Sequence, residues 1–462
     1  MARRECPGCR KLQRRVAELE GVVRELQARL GINATNSSVP PSANPLDAPK
    51  PVVKEPTGRS PGGQPGHPAC VRRRLPPERL TAVRVFVPSH CRRCQAALSP
   101  EPAANDPEPV WHQVAELPVA PVEVIEYQAH GRTCRCCGTV TWETIPEAIR
   151  VRAFGPRLGG LVAYLSGSPH VSKRGIEELL ETVVGIPISL GSIVNLEQEM
   201  SVALANAHEQ ARRAVQDAPV KNVDETGWKQ AGQRCWLWGA ATAMVACFVI
   251  HPSRGASGLA ALLGTKIKGI VCSDRWGVYG RLKARRRQLC WAHLKRDFQK
   301  LVDRGGGAKE IGELGLSLAS LVFELWHAFR GGGLTRRQLR RDMSEWREIL
   351  HDQLEQGCAC SDAKAAAFCA NVLAVEEALW TFVDREGVEP TNNHMERLLR
   401  TGVLWRKNAF GCHSVAGCSF AERILTVVQT LRLQQRPVLD FLHQTLAAHR
   451  QGEPTPNLLL GE

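Results

Sequence analysis

Residues 219–300 alternate short apolar runs with helical segments in an order that few folds accommodate. The first three runs, VKNV, CWLWGAAT and MVACFVI, are joined by short turns, so we expect three antiparallel neighbours. A helical segment, ASGLAALLG, then precedes the run GIVCS, and a short helix near GVYGRLKA precedes RQLCW. Because a helix between two strands forms a crossover connection, this order predicts a mixed sheet with the first and fourth strands adjacent at its centre.

This strand order is the one expected of a ribonuclease H-like sheet, and we predict such a catalytic domain over 216–440. Residues 303–388 interrupt it with long helical runs and no strand candidate, which predicts an all-helical insertion. We expect residues 441–462 to form a C-terminal tail. The predicted fold class is multidomain α/β with a mixed-sheet core.

Two aspartates follow strands that this sheet brings together. Asp224 follows VKNV in VDETGW, and Asp274 follows GIVC in CSDRWGVY, so each lies at or just beyond the end of a predicted strand. Two neighbouring carboxylates repel each other unless a cation lies between them. Glu396, in TNNHMERLLR, would add a third carboxylate from a helix packed on the sheet. Such oxygen ligands suit two Mg²⁺ or Mn²⁺ ions about 3.5–4 Å apart, which promote in-line displacement at phosphorus.

Each acid also has a simpler interpretation when it is taken alone. Asp224 or Asp274 could form a turn, and Glu225 could be the ligand in place of Asp224. Glu396 could close a capping box with Asn393, or pair with the arginine one turn later. These interpretations do not explain why both aspartates share the same position relative to a strand.

Lysine and arginine outnumber aspartate and glutamate by 60 to 46, which gives a formal charge of +14 and a pI near 9.2. This excess favours a polyanionic partner, nucleic acid before a membrane surface. The longest apolar stretch, 239–250, is too short to span a bilayer. MARRECPGC lacks the apolar core of a signal peptide, so we expect the protein to be cytoplasmic and nucleoid-associated when bound to DNA.

Basic and amide side chains surround Glu396 and are candidates for DNA contacts. They are Asn392, Asn393, Arg397, Arg400, Arg406 and Lys407. A second basic group, 283–287 with Lys295 and Arg296, flanks the last predicted strand. Charge runs are usually solvated faces, but beside a metal site they favour phosphate contacts. The two asparagines could instead position Glu396.

Paired cysteines predict a small zinc module over 86–148. Cys91-x-x-Cys94 and Cys134-x-x-Cys137 flank β-rich sequence, and four thiolates can hold a structural Zn²⁺ in a tetrahedron. The alternative is unrelated buried cysteines, and Cys136 makes the fourth ligand ambiguous. The roles of Cys6 with Cys9, and of Cys290 with His293, stay open; for the latter two we favour a packing role.

The segments before the predicted catalytic domain differ in composition and in the spacing of their apolar residues. Residues 1–32 carry a short a/d heptad, which could support self-association or packing on the protein's own body. Residues 33–85 are a Pro/Gly-rich flexible linker. Residues 149–215 are helical, and Gly185 followed by Ser189 gives the outline of a helix-turn-helix, although Glu197 and Glu199 suit a phosphate-facing surface poorly. A plain helical hairpin is the alternative.

Over nearly its whole length the chain resembles the insertion sequence 66 family of bacterial transposases. The motifs that carry the resemblance are NSSVPPSAN, GGQPGH, the paired cysteines, VDETGW, SDRWGVY, CWAHLKRDF, TNNHMERLLR and RKNAFG. The resemblance implies an aspartate–aspartate–glutamate triad that falls on Asp224, Asp274 and Glu396. It also implies a zinc finger and a helical DNA-binding region, action as a homo-oligomer on transposon ends and target DNA, and accessory proteins encoded by the same element.

These features predict a Mg²⁺-dependent DNA transposase that cleaves at transposon ends and joins the freed 3′-hydroxyl to target DNA. Two other functions remain open. A structure-selective nuclease of the same fold would cut without joining, and a non-catalytic zinc-containing DNA-binding regulator would bind without Mg²⁺. The sequence does not specify the terminal repeats, the target preference or the oligomeric state.

Overall fold

The computed structural model describes residues 74, 76–101, 113, 122–133, 135–137 and 139–459. The predicted heptad helix of 1–32, most of the linker 33–85, and Cys134 lie outside the described residues. The chain divides into two units, one of Pro49–Val124 and one of Met1–Ala48 with Ile125–Glu462.

Two strands form a short antiparallel hairpin in the described part of the predicted zinc region, and His90 and Ala97 form an isolated bridge. The hairpin consists of β1 (Gly131–Thr133) and β2 (Val140–Trp142). The other β-like runs, within 83–88 and 122–130, form no strand, and Phe86 is 92% exposed. Alternating residues favour an extended backbone, but a strand also needs a neighbouring strand to bond with, and these runs have no partner strand among the described residues.

A short helix, α1 (Glu147–Arg150), leads into a three-helix group of α2 (Pro156–Gly167), α3 (Lys173–Leu179) and α4 (Leu190–Ala203). Its apolar core comprises Val162, Ile176, Leu180, Ile188, Ile193 and Leu196. Gly185, at φ +75°, ends the helical segment that follows α3, and the Ser189 hydroxyl caps α4 by accepting the Ser192 amide at 3.2 Å. Both helix boundaries are those that the sequence predicts.

The two acidic side chains of α4 point inward and are paired. Glu197 is buried and accepts hydrogen bonds from Ser166 Oγ at 2.6 Å and from Lys173 Nζ. Glu199 accepts two from the Arg450 guanidinium, at 2.9 and 2.6 Å. The exposed face of α4 therefore carries neither acid, and it presents uncharged side chains such as Asn195 and Gln198.

Five strands of the larger unit form a mixed sheet in the described part of the chain. In chain order the elements are α5 (Ala205–Asp217), β3 (Val220–Gln230), β4 (Gln233–Ala241), β5 (Ala246–His251), α6 (Ala256–Leu263), β6 (Ile270–Ser273) and β7 (Arg287–Leu289). The strand order is β5-β4-β3-β6-β7, with β3 to β5 antiparallel and β6 and β7 parallel to β3. The first and fourth strands of the sheet are central neighbours, as predicted.

Residues 303–388, for which the sequence predicts helices alone, contain helices and turns and no strand. The helices of this region are α7 (Trp291–Arg304), α8 (Gly307–Arg330), α9 (Arg336–Cys358), α10 (Ala363–Leu373) and α11 (Thr381–Asp384). They enclose their own apolar core, which includes Phe298, Trp326, Leu350 and Trp380 and reaches Leu289 of the sheet. Among the described residues, no helix is long and apolar enough to cross a membrane.

The last helices are α12 (Asn393–Ala409), α13 (Val415–Leu433) and α14 (Val438–Gln451). α12 lies close to the sheet at Gly239 of β4, where an added Cβ would come within 2.3 Å of Met395 Cε. The lack of a side chain at Gly239 allows this close approach. α14 begins at Val438, before the predicted boundary at 440, and buries Phe441, Leu442 and Leu446. Residues 441–451 of the predicted tail 441–462 thus belong to a packed helix, because their apolar residues repeat at helical spacing.

Candidate active site

The pairing of β3 with β6 places two aspartates at equivalent positions. The register pairs Asn222 with Cys272, and Asp224 and Asp274 each lie two residues farther along. The sequence predicts Asp224 at or just beyond the end of a strand, but the structure places it inside β3. β3 stays paired with β4 as far as Gln230, and only its pairing with β6 stops at Asn222. The site therefore opens where two parallel strands separate.

Asn392 fixes the start of α12 against this point of the sheet. Its side chain is fully buried and donates from Nδ2 to the Val223 carbonyl at 2.8 Å. Its Oδ1 accepts from Asn222 Nδ2 at 3.0 Å, and its backbone N–H donates to Cys290 Sγ at 3.1 Å. Glu396 lies one helical turn farther along α12, so these bonds determine where its carboxylate lies.

The carboxylates of the three acids lie close enough to affect one another. Burial raises the pKa of Asp224 well above its ordinary value, and the charges of Glu225, Asp274 and Glu396 raise it further. Glu396 Oε1 is buried and accepts no hydrogen bond from the residues that the structure describes. Carboxylates that repel one another in this way are stabilised by a divalent cation, and an all-oxygen donor set fits Mg²⁺ or Mn²⁺.

Glu225, the alternative ligand, is already engaged on both oxygens. Its Oε1 accepts from Arg254 Nε at 2.9 Å, and its Oε2 accepts from the Tyr279 hydroxyl at 2.8 Å. Its side chain is 1% exposed. The Arg254 guanidinium also stacks on Trp276, 4.1 Å from the ring centroid. These contacts favour Glu225 as a support beneath the site and leave Asp224 as the ligand candidate on β3.

The structure supports the simpler interpretation of Asp274, a turn, but not those of Glu396, a capping box or an ion pair with Arg400. Asp274 does form a turn, because its Oδ1 accepts the Trp276 amide at 2.9 Å, but its second oxygen accepts no hydrogen bond from any residue that the structure describes. Glu396 closes no capping box, since α12 begins at Asn393 without a side-chain cap. In the described part of the chain it has no ion pair with Arg400, and its Oε1 lies 3.5 Å from Nδ1 of the His293 imidazole.

A family model described as "Transposase IS66 family" matches residues 152–419, more than half of the chain and all three acids. The chain belongs to this transposase family. The match confirms the family that the sequence motifs indicate, and it includes the three-helix group, the sheet and the helical region between β7 and α12.

One relative among curated proteins is an uncharacterized protein, y4qI, of Sinorhizobium fredii (strain NBRC 101917 / NGR234). It is 29% identical over 252 residues, which is 49% of this chain and 46% of the relative. This transposase-family chain therefore aligns with less than half of the relative's length.

The predicted DNA contacts on α12 differ in their availability. Asn393, Arg397 and Arg400 are exposed, and neither arginine has an ionic partner among the described residues. Arg406 is partly buried and donates from Nη1 to the Gly227 carbonyl, so it ties α12 to β3. Lys407 is exposed near the helix end. Asn392 is fully buried, and its bonds to β3 favour a role in positioning Glu396 over a contact with DNA.

In the second basic group, 283–287 with Lys295 and Arg296, some side chains are buried and others are exposed. Arg286 donates to the carbonyls of Ile267 and Gly269, and Arg287 is 3% exposed. Lys295 of α7 is exposed. Part of this run therefore stabilises the edge of the sheet, and only part of it faces solvent.

The cysteine pairs can be described only in part. In the smaller unit, Cys91 and Cys94 lie on a tight turn in which the Cys91 amide donates to the Ala96 carbonyl at 2.9 Å. The backbone amides of Cys94 and Arg93 lower the pKa of the Cys91 thiol. In the larger unit, Cys137 follows β1. Because Cys134 lies outside the described residues, the four-thiolate site stays a prediction.

The sequence did not indicate one group of side chains at the site, and it left the role of another open. Tyr279 and Arg254 hold Glu225, and Tyr279 was within the motif SDRWGVY. Cys290 and His293 lie beside Glu396, within 4.8 Å of one another by their ligand atoms. Their spacing at the start of α7 is visible in the sequence, but the third member, Glu396, comes from a helix about one hundred residues later.

Proposed function

We propose that this chain is a DDE-type DNA transposase in which Asp224, Asp274 and Glu396 form the catalytic triad. The observation that supports the proposal is geometric: the β3–β6 register aligns Asp224 with Asp274, and Asn392 bonds the start of α12, which carries Glu396, to β3. Burial, and then the charges of neighbouring carboxylates, raise the pKa of Asp224. We also infer a ribonuclease H-like core. Three antiparallel strands followed by two parallel ones, with the acids at the central pair, support that inference.

In the proposed reaction, water attacks a phosphodiester at the transposon end and breaks its bond to the 3′-oxygen. The freed 3′-hydroxyl then attacks a target phosphodiester and displaces its 3′-oxygen, so that transposon and target are joined. Bound Mg²⁺ ions would activate each attacking oxygen and stabilise each leaving oxygen. The reaction needs no covalent enzyme–DNA bond, so no serine or tyrosine nucleophile is required.

The residues of the chain divide this work. Asp224 and Asp274 would hold cations from the sheet, and Glu396 would hold them from α12. Asn392 would keep Glu396 in place through its bonds to β3. Arg397 and Arg400, exposed on the same helix, would neutralise phosphates of the DNA backbone. The Glu225–Arg254–Tyr279 contacts would keep the underlying strand rigid.

The other parts of the chain would deliver DNA to this site. We propose a structural zinc ion at Cys91, Cys94, Cys134 and Cys137, supported in part by the tight turn at the first pair. The uncharged outer face of α4 would contact DNA bases, since asparagine and glutamine read adenine edges. Action as a homo-oligomer, accessory proteins of the same element and a cytoplasmic location complete the proposal.

The decisive variant is Asp224→Asn, which keeps the shape of the side chain and removes its charge. We expect end binding to survive, whereas cleavage and joining fall by at least about a hundredfold, because the variant cannot hold a catalytic cation. Asp217→Asn is the matched control. Asp217 is exposed and pairs with Lys268, so its variant should cut and join normally.

Labelled transposon ends incubated with a plasmid target and Mg²⁺ measure both steps at once. Joined product supports the transposase, and cut ends without joining would indicate a nuclease. Binding with no Mg²⁺-dependent cleavage in the unmodified chain would indicate the DNA-binding regulator. Full cleavage by Asp224→Asn would remove Asp224 from the site.

A further inference from the structure

Beside the acid triad, three side chains from two helices form a cluster whose donors differ from the all-oxygen set. Cys290 precedes α7, His293 lies in its first turn, and Glu396 comes from α12. One sulfur, one nitrogen and one oxygen of these residues lie within 4.8 Å of one another. Cys290 is 1% exposed, and its sulfur is held by the Asn392 amide at 3.1 Å. The cluster is thus assembled by the same contact that positions Glu396.

Two of the three donor atoms face each other without a hydrogen bond. His293 Nδ1 and Glu396 Oε1 are both buried, both lack a hydrogen-bond partner among the described residues, and lie 3.5 Å apart. Two ligands bound at about 2.0–2.1 Å to one tetrahedral ion are separated by about 3.4 Å. The observed spacing is therefore that of two ligands of a common metal.

We propose that Cys290, His293 and Glu396 bind Zn²⁺, and that bound zinc inhibits the enzyme by withdrawing Glu396 from the magnesium site. A thiolate and an imidazole suit Zn²⁺ and are poor ligands for Mg²⁺, so the cluster discriminates between the two ions. The Glu396 side chain is 33% exposed, which leaves a fourth position for water. Inhibition rests on the proposed function, whereas zinc binding by the cluster does not.

The binding part is tested with Co²⁺ alone, whose bond to a thiolate gives a charge-transfer band in the near ultraviolet. The full chain should bind one more equivalent of Co²⁺ than either Cys290→Ser or His293→Asn. Cys272→Ser is the matched control, because Cys272 is also a buried thiol, 1% exposed, on neighbouring β6. The paired cysteines contribute equally to all four proteins and cancel in the comparison.

Loss of that equivalent in the two site variants, with retention in Cys272→Ser, supports the cluster. Equal uptake by all four proteins overturns the proposal. Loss in Cys272→Ser as well would show that uptake does not depend on this cluster, and would overturn it too. Serine retains a hydroxyl that can accept the Asn392 amide, and circular dichroism checks that each variant is folded.

The inhibition part is tested by adding Zn²⁺ to Mg²⁺-dependent end cleavage. Zinc should inhibit the unmodified chain, and excess Mg²⁺ should relieve the inhibition, because both ions compete for one carboxylate. His293→Asn should need at least about tenfold more Zn²⁺ for the same fractional loss of its own zinc-free rate. Equal sensitivity of the two proteins would overturn the inhibitory role. If the unmodified chain cuts no DNA without zinc, the proposed function fails, and Co²⁺ binding still decides whether the site exists.

Discussion

At the scale of single residues, the geometry of the site depends on side chains that need not touch DNA. Asn392 joins three segments that are far apart in sequence, through Val223, Asn222 and Cys290. Because it is fully buried, each of these bonds is made without competition from water. The sequence showed an asparagine beside a candidate ligand, but it could not show which of two adjacent asparagines turns inward.

The variant Asn392→Ala tests this positioning role. It leaves the Val223 carbonyl and the Asn222 amide without partners, so we expect a loss of roughly 1–3 kcal/mol in the free energy of unfolding. Cleavage should fall while end binding remains, since the exposed arginines of α12 are untouched. Asn393→Ala makes the same chemical change at an exposed neighbour and should alter stability by less than about 0.5 kcal/mol. Equal effects of the two variants would argue against a special role for Asn392.

At the scale of elements, the order of strands was predictable because short turns and intervening helices constrain which strands can be neighbours. The extent of a strand was not. The sequence predicts that the strand ends at VKNV, just before Asp224. In the structure β3 continues to Gln230, because β4 stays paired with it. Similarly, 83–88 and 122–130 have strand composition but no partner strand in the part of the chain that the structure describes. Whether a segment forms a strand depends on a second segment that pairs with it, and the composition of the first segment does not reveal that partner.

The same limitation applies to the candidate site. The three acids could be proposed from their positions, because each lies next to a recognisable strand or helix start. His293 and Cys290 could not be linked to Glu396, since nothing local to α7 indicates that α12 packs beside it. Tyr279 and Arg254 acquire their role only from the buried carboxylate that they share.

The contact between α13 and β5 makes the stability of the fold sensitive to pH. Glu422 of α13 accepts the Ile250 amide of β5 at 2.5 Å, and burial raises its pKa from 4.5 to about 7. The folded protein therefore holds this proton up to a higher pH than the unfolded chain does. Its contribution to stability is fully present below pH 4.5 and is lost as the pH rises towards 7.

The variant Glu422→Gln removes the titration and keeps the acceptor oxygen. We expect it to stabilise the protein at pH 8 by on the order of 2 kcal/mol, with little difference at pH 4.5. Thermal unfolding midpoints at the two pH values measure the effect. Glu386→Gln, at an exposed position, should change neither midpoint. A Glu422→Gln midpoint that is no higher at pH 8 would show that the buried carboxyl carries no such penalty.

At the scale of the whole molecule, the formal charge of +14 attracts DNA without deciding where it binds. Many cations are already used inside the fold, as Arg450 is with Glu199 and Arg406 is with the Gly227 carbonyl. Arg397 and Arg400 are exposed beside the acids and have no ionic partner among the described residues. If DNA lies across the triad, those two should contribute to affinity more than equally charged residues elsewhere.

Salt dependence separates a phosphate contact from a general effect of net charge. Each phosphate contact adds about −0.9 to the slope of log affinity against log salt concentration, because it releases a condensed counterion. Arg397→Gln should therefore make the slope shallower by about 0.9. Arg337→Gln removes the same charge from an exposed position on α9, in the helical region remote in sequence from the acids, and should leave the slope unchanged. Filter binding of a labelled transposon end over 50–200 mM salt gives both slopes. Equal changes would mean that DNA responds to total charge, whereas a change confined to Arg397 would place the backbone along α12, within reach of Glu396.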